Sequence, residues 1–306
     1  MTDDGYILEM HRVFKNEGGP VFFIQHGLAA DSESYLLDGD DATAFKFARL
    51  GYDVWLGNNR VSQYSRRHET LDPNDPEDEE EYFDFSFWEL GKYDAPAQID
   101  YVREHTGYDK VSYMGHSQGT TQMFAALSEG FGNLEDKLNL FVALAPVTRL
   151  DEVKNELFHT LGNIYPYVKK VLDGLKIYEF NGPSWQSYED EVCFLFDDLC
   201  QQLNVMNVPT DDDSIDELIA RISNYRPMSS VGVKQTLHFG QIKSSGHFAQ
   251  YDEMSDEVNK LVYGQVSPPD IDLRKISDKV PIAFYVGNKD DLSTVKNAEW
   301  AAEQIG

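Results

Sequence analysis

Residues 115–119 read Gly-His-Ser-Gln-Gly and lie between a predicted strand at 111–114 and a predicted helix. A serine in a G-x-S-x-G segment at a strand-to-helix junction is typical of the nucleophile elbow, a strained turn that exposes the serine hydroxyl above a sheet. The flanking Gly115 and Gly119 let neighbouring backbone approach closely. An ordinary turn serine is the alternative, and the strand and helix on either side disfavour it. The segment therefore predicts an α/β fold with Ser117 as a catalytic nucleophile.

Short apolar runs alternate with amphipathic stretches along the chain, a pattern typical of a mostly parallel sheet flanked by helices. Asp94 is interpreted as the N-cap of a helix, because it precedes Pro96 and proline is tolerated in the first helical turn. The predicted strands are residues 21–25, 52–56, 111–114, 138–145 and 281–286, and further helices are predicted at 44–50 and 294–304.

The pattern changes between residues 149 and 239, where the chain is rich in aromatic residues and mainly helical in its periodicity. Because this segment lies between two sheet-like parts, we predict that it is an inserted cap. The α/β core would then consist of residues 1–148 and 240–306.

The composition excludes several classes of protein. With 53 acidic against 26 basic residues, the formal net charge of -27 would repel nucleic acid. No apolar run approaches the roughly 20 residues that a membrane span requires. The two cysteines, Cys193 and Cys200, form no zinc motif, and they are either one local disulfide or two buried thiols. The chain has no signal-like start and no N-x-S/T sequence, so nothing in it indicates an oxidising compartment.

Two further segments supply the partners that a serine nucleophile requires. His26-Gly27-Leu28 follows the strand predicted at 21–25, where a turn can place a backbone N–H beside the serine. We therefore predict an oxyanion hole made by the N–H groups of Leu28 and Gln118. Asp290 follows the strand predicted at 281–286 and is a candidate for the catalytic acid, with Asp291 as its competitor.

The chain resembles the acid lipases, the family of gastric and lysosomal lipases and fungal steryl ester hydrolases. The resemblance is specific in the block Gly-Tyr-Asp-Val-Trp-Leu-Gly-Asn at 51–58 and in Gly-His-Ser-Gln-Gly-Thr at 115–120. Further matching segments are residues 4–8, 25–28, 83–87 and 92–94, with weaker matches at 231–240 and 280–292.

The resemblance implies an α/β-hydrolase fold with the nucleophile at Ser117 and the oxyanion amides at Leu28 and Gln118. It favours Asp290 over Asp291 as the acid. It also implies a cap that covers an acyl-chain pocket, and triacylglycerol or steryl ester substrates at a lipid–water surface. No cofactor and no metal are implied, and the location expected from the family is lysosomal or secreted.

The chain departs from the family pattern at the catalytic histidine, which in the family follows the acid. None of the eight histidines in this sequence follows Asp290. We therefore expect either a fragment that lacks sequence at both ends or a catalytically inactive relative that binds lipid. His247 is a possible substitute base, although it precedes Asp290. His116 flanks the nucleophile, and a role in the pocket or in packing is expected for it.

Overall fold

A central sheet organises the protein, whose structure is a computed structural model that describes residues 1–15, 17–196 and 229–306. The strands β1–β10 are, in chain order, Tyr6–Ile7, His11–Val13, Val21–Gln25, Asp53–Gly57, Arg67–His68, Val111–His116, Leu138–Leu144, Glu179–Phe180, Val231–Gly232 and Ile282–Tyr285. Six of these described strands form the central sheet in the order β10-β7-β6-β3-β4-β2. Neighbouring strands in it are parallel, except that β2 is antiparallel to β4.

Helices follow most strands of the sheet, as a parallel arrangement requires. The helices α1–α11 are Thr43–Arg49, Glu79–Tyr82, Phe87–Glu89, Ala95–Thr106, Gln118–Glu129, Leu134–Lys137, Glu156–Leu175, Pro183–Leu195, Val233–Ser245, Asp256–Tyr263 and Val295–Ile305. Among the residues that the structure describes, no helix is both long enough and apolar enough to cross a membrane. The predicted α/β architecture with a mostly parallel sheet is confirmed.

Strand β3 shows why its sequence is a continuous apolar run. All five of its residues are buried, since the sheet is covered on both faces. Phe23 stacks on Tyr113 of β6 and packs with Ile99 of α4 on one face. Phe22 and Ile24 pack on the other face against α1. The predicted strand at 21–25 is therefore confirmed, and β3 lies next to β6 in the middle of the sheet.

The interpretation of Asp94 as a helix N-cap is wrong. Ser86 caps the helix instead, because its hydroxyl accepts a hydrogen bond from the Trp88 N–H at 3.2 Å and its own N–H donates to Glu89 at 2.7 Å. Helical backbone then continues from Phe87 through α4, and Asp94 lies inside it. The carboxylate of Asp94 binds Arg60 rather than a helix N-terminus.

A π-helical turn, Leu90–Asp94, joins α3 to α4 and precedes Pro96. Proline has no N–H to donate to the preceding turn, and the wider turn accommodates the missing hydrogen bond. The turn also brings Gly91 against the helix that follows Ser117. A Cβ atom on Gly91 would lie 2.5 Å from the carbonyl oxygen of Gln122.

Arg60 forms a buried ionic cluster that joins three separate parts of the chain. Its guanidinium donates to Asp94 at 2.9 and 2.6 Å and to Asp4 at 2.8 and 3.0 Å. The ring of Tyr6 lies 3.8 Å from the guanidinium carbon. Burial disfavours the charge of Arg60, but the two carboxylates outweigh this effect and hold its pKa above the ordinary value.

Residues 149–239, where the sequence predicts a cap, contain α7, β8, α8, β9 and the beginning of α9. Residues 197–228 of this segment lie outside the described residues. Helix α9 packs closely against α7, since a Cβ atom on Gly240 would lie 3.0 Å from Leu161 Cγ. A partly buried ion pair at 2.8 Å between Glu179 of β8 and Arg66 ties the segment to the loop after β4.

Cys193 in α8 is disulfide-bonded, and Cys200 lies outside the described residues. The alternative in which both cysteines are free thiols is therefore wrong for Cys193.

His238 of α9 is a buried histidine that stacks on Phe87 with ring centroids 4.1 Å apart. Its Nε2 atom lies 2.9 Å from the carbonyl oxygen of Ala249. Burial lowers the pKa of His238 to about 3, even though this hydrogen bond opposes the shift.

Because His238 remains neutral in the folded state, acid should destabilise the protein through this residue. An unfolded histidine takes up a proton as the pH falls below about 6.5, whereas folded His238 does not do so until the pH approaches 3. As the pH falls from 7 to 4.5, the unfolding free energy of the wild type should therefore decrease by roughly 2–3 kcal/mol more than that of His238→Gln. Urea denaturation of both proteins across this pH range measures the difference, and a constant difference would contradict the prediction.

Candidate active site

Ser117 lies in a strained turn between β6 and α5. Its backbone angles are φ 50° and ψ -118°, a region that residues with a side chain rarely adopt. The turn is held by the Ser117 N–H, which donates to the Leu144 carbonyl at 3.0 Å, and by the Thr120 hydroxyl, which donates to the Ser117 carbonyl at 2.6 Å. This backbone geometry is that expected for the residue at a nucleophile elbow.

The glycines of the elbow are required by close backbone contacts. A Cβ atom on Gly115 would lie 2.5 Å from the Gly119 carbonyl oxygen, and one on Gly119 would lie 2.7 Å from the Gln25 carbonyl oxygen. Gly27 also faces the elbow, since a Cβ atom there would lie 3.1 Å from Ser117 Cβ. The turn after β3 therefore packs directly against Ser117, as the adjacent positions of β3 and β6 in the sheet require.

His26 fixes the conformation of this turn. Its Nε2 atom accepts a hydrogen bond from the Asn59 N–H at 3.1 Å, so the proton of the neutral ring is on Nδ1 and is donated to the Gly27 carbonyl at 2.8 Å. Burial lowers the pKa of His26 and favours this neutral form. The role of His26 is therefore structural support of the turn that carries Leu28.

The two amides predicted to form the oxyanion hole have no acceptor among the residues that the structure describes. Within residues 1–15, 17–196 and 229–306, neither the Leu28 N–H nor the Gln118 N–H donates a hydrogen bond. Gln118 is the first residue of α5, where backbone N–H groups have no partner inside the helix. Both amides therefore remain available to an oxygen atom bound beside Ser117.

Residues 229–235, which sequence reasoning did not single out, contact both sides of this candidate hole. The Gln235 side chain donates to Gln118 Oε1 at 2.8 Å. The Ser229 N–H donates at 3.2 Å to the carbonyl of Ala29, which follows Leu28 and has a φ of 55°. The weak family match at 231–240 includes Gln235 but not Ser229, and neither residue type belongs to a catalytic motif.

Asp290 follows β10 in a tight turn. Its Oδ1 atom accepts hydrogen bonds from the N–H groups of Leu292 at 2.9 Å and Ser293 at 2.8 Å. Its Oδ2 atom accepts none from the described residues, so this oxygen is available to an imidazole. Asp291, the competing candidate, has an exposed side chain. Its backbone carbonyl accepts hydrogen bonds from the N–H groups of Lys154 and Asn155.

Asp290 and Ser117 lie at the same edge of the sheet. β10 pairs with β7 up to Leu144, the residue whose carbonyl holds Ser117, and Ser293 binds the Pro146 carbonyl at 2.7 Å. Desolvation lowers the pKa of His116, and the negative charge of Asp290 opposes this effect. The carboxylate is thus close enough to act on the residue next to Ser117.

The structure does not bring His247 into this group. Its Nδ1 atom pairs with Asp270 at 3.1 Å, and both side chains are 64% exposed. Across the described parts of the chain, which include all eight histidines, none forms a hydrogen bond with Ser117 or Asp290. The candidate site therefore consists of the elbow, the Leu28 turn and the Asp290 turn.

The fold is that of the α/β hydrolases. A family model described as "alpha/beta hydrolase fold" matches residues 20–303. An esterase from Exiguobacterium antarcticum superposes with a TM-score of 0.52 at 12% identity, covering 100% of this chain and 86% of that one. A carboxylesterase structure from Nitrososphaera gargenis has a TM-score of 0.51 at 9% identity, with coverage of 99% and 85%.

Relatives with similar sequences identify the family within the α/β hydrolases. Lipase 1 of Drosophila melanogaster is 35% identical over 100% of this chain and 67% of its own length. Human lipase member K is 33% identical, covering 99% and 77%, and human gastric triacylglycerol lipase is 35% identical, covering 96% and 74%. The chain belongs to the acid lipase family of the α/β hydrolases.

Proposed function

We propose that the chain is a carboxylic ester hydrolase that acts on neutral lipids, triacylglycerols or steryl esters, through an acyl-enzyme on Ser117. The observation that carries the proposal is the strained Ser117, beside two backbone N–H groups that donate to no acceptor in the described part of the chain. The names of the relatives, which include a gastric triacylglycerol lipase, support lipid esters as substrates.

The reaction begins when Ser117 Oγ attacks the ester carbonyl carbon and loses its proton to a base. The carbonyl oxygen becomes negative, and the N–H groups of Leu28 and Gln118 stabilise it. Collapse of this intermediate expels the alcohol, which takes up the proton, and leaves the acyl group on Ser117. Water then attacks the acyl-enzyme in the same manner and releases the fatty acid.

Asp290 is the proposed acid that orients the base. Its Oδ1 atom is fixed by two backbone N–H groups, whereas Oδ2 is available to accept a hydrogen bond from an imidazole. We assign the role of base to none of the histidines in residues 1–306, because none of them contacts Ser117 or Asp290 in the described structure. That observation favours one alternative, an inactive relative that binds lipid esters without cleaving them.

We propose further that residues 149–239 form a cap over the acyl-chain pocket. The supporting contacts come from its final part, where Ser229 and Gln235 bind the segments that carry the two oxyanion amides.

The proposal is tested by treating the purified chain with a fluorophosphonate and measuring its intact mass. We expect one adduct on the wild type and no corresponding mass shift for Ser117→Ala, because the attacking oxygen is missing. Ser112→Ala, in the strand β6 that precedes Ser117, is the matched control and should be labelled like the wild type.

The outcomes separate the two functions. Labelling that persists in Ser117→Ala would contradict the assignment of the nucleophile. A wild-type chain that stays unmodified but binds triacylglycerol emulsions would favour the inactive lipid-binding relative.

A further inference from the structure

Asn59 and Gln122 form a buried pair of amides that the proposed reaction does not use. The Asn59 Nδ2 group donates to Gln122 Oε1 at 2.8 Å, and the Gln122 Nε2 group donates back to Asn59 Oδ1 at 3.2 Å. Their residues are only 1% and 0% exposed. Burying two amides is costly unless each finds its partner, so the pair strongly favours one relative position of the two segments that carry it.

The two members of the pair belong to opposite sides of the candidate oxyanion hole. Gln122 is in α5, the helix that begins with Gln118. Asn59 follows β4, and its backbone N–H donates to Nε2 of His26 at 3.1 Å. The other ring nitrogen of His26 holds the Gly27 carbonyl, immediately before Leu28.

A continuous path of buried hydrogen bonds therefore links the two oxyanion amides. It runs from the Leu28 turn through His26 to Asn59, and from there through Gln122 into the helix of Gln118. His26, Asn59 and Gln122 are all buried, so water does not compete for these hydrogen bonds.

We propose that Asn59 and Gln122 are positioning residues that set the separation between the Leu28 and Gln118 amides. The inference rests on the proposed function, because it assumes that both amides bind the same oxygen atom. Two donors act together only when each lies at hydrogen-bond distance from that atom, and displacements of about 1 Å can reduce rates about 100-fold.

A long-chain alkyl boronic acid provides a test that depends on the hole and not on turnover. Boron accepts the Ser117 oxygen, the serine proton is released to water, and the resulting anionic tetrahedral adduct places an oxygen in the hole. The adduct is measured at equilibrium by titration with ¹¹B NMR on the whole chain, so a slow proton transfer does not affect the result.

The informative variant is Gln122→Met, which keeps an unbranched side chain and removes both amide hydrogen bonds. Its matched control is Gln241→Met, since Gln241 is a buried glutamine that also forms two hydrogen bonds, both with the backbone of Asp252. We expect about tenfold weaker boronate binding for Gln122→Met and less than a twofold change for Gln241→Met. The double variant Asn59→Gln with Gln122→Asn exchanges the two amide side chains. It keeps their combined length and should restore most of the affinity.

Each outcome bears on a different statement. Equal losses in Gln122→Met and Gln241→Met, or no rescue by the exchanged pair, would overturn the positioning role while leaving Ser117 as the nucleophile. A wild type that forms no adduct beyond that of Ser117→Ala would overturn the proposed function, and the inference with it. If Gln122→Met does not fold, Asn59→Asp replaces it, because aspartate cannot donate to Gln122 and should weaken binding in the same direction.

Discussion

Gly115→Ala is expected to lower the free energy of unfolding by about 3 kcal/mol, at the upper end of the usual cost of overpacking. The added Cβ atom would lie 2.5 Å from the Gly119 carbonyl oxygen and 2.8 Å from the Thr120 nitrogen. Both neighbours are backbone atoms of the turn around Ser117, so the strand and the helix must move apart. Chemical denaturation of the variant and the wild type measures the change.

Gly174→Ala is the matched control for this experiment. Gly174 lies inside helix α7, and a Cβ atom there would meet nothing within 4 Å. Alanine should therefore stabilise the protein by about 0.5–1 kcal/mol, because it restricts the unfolded chain and favours the helix. If both substitutions change stability in the same direction, the close approach at the elbow is not what requires Gly115.

Arg60→Met is expected to lower the free energy of unfolding by about 3–5 kcal/mol, the range for removing one partner of a buried ion pair. Asp94 is fully buried and would be left with a negative charge and no guanidinium. The partly exposed pair Arg103–Asp100 offers a contrast, since Arg103→Met should change stability by no more than about 1 kcal/mol. Thermal and urea unfolding of both variants provide the comparison.

A second substitution tests the explanation for the cost of Arg60→Met. Adding Asp94→Leu removes the unpaired charge and should recover at least half of the lost stability, because apolar pairs of similar volume often replace buried ion pairs. A double variant that is as unstable as Arg60→Met alone would show that packing of the arginine, and not the isolated carboxylate, accounts for the loss.

The parts of the fold that depend on local pattern could be predicted from the sequence. Strand β3 is a continuous apolar run because both faces of the sheet are covered. The conformation of Ser117 could be anticipated because the elbow motif, the strand and the helix are contiguous in sequence. The turn of Asp290 could be anticipated as well, because it follows the short apolar run of β10 in the sequence.

The parts that depend on contacts between distant residues could not be predicted. Asp94 looks like an N-cap because local sequence favours a helix start before proline, whereas its partner Arg60 lies 34 residues away. The Asn59–Gln122 pair spans 63 residues, and amide side chains leave no periodic signal in the sequence. Such pairings become evident only when the register of the sheet and the packing of the helices are known.

The π-helical turn at Leu90–Asp94 has a consequence for how the length of this chain can vary in evolution. Such a turn is equivalent to one residue inserted into an α-helix, and each residue of an α-helix turns the backbone by about 100°. Deleting one residue there would rotate Asp94 away from Arg60, or Gly91 away from the carbonyl of Gln122. Insertions and deletions among relatives should therefore be found in the surface loops, while the residue count between Ser86 and Pro96 stays constant.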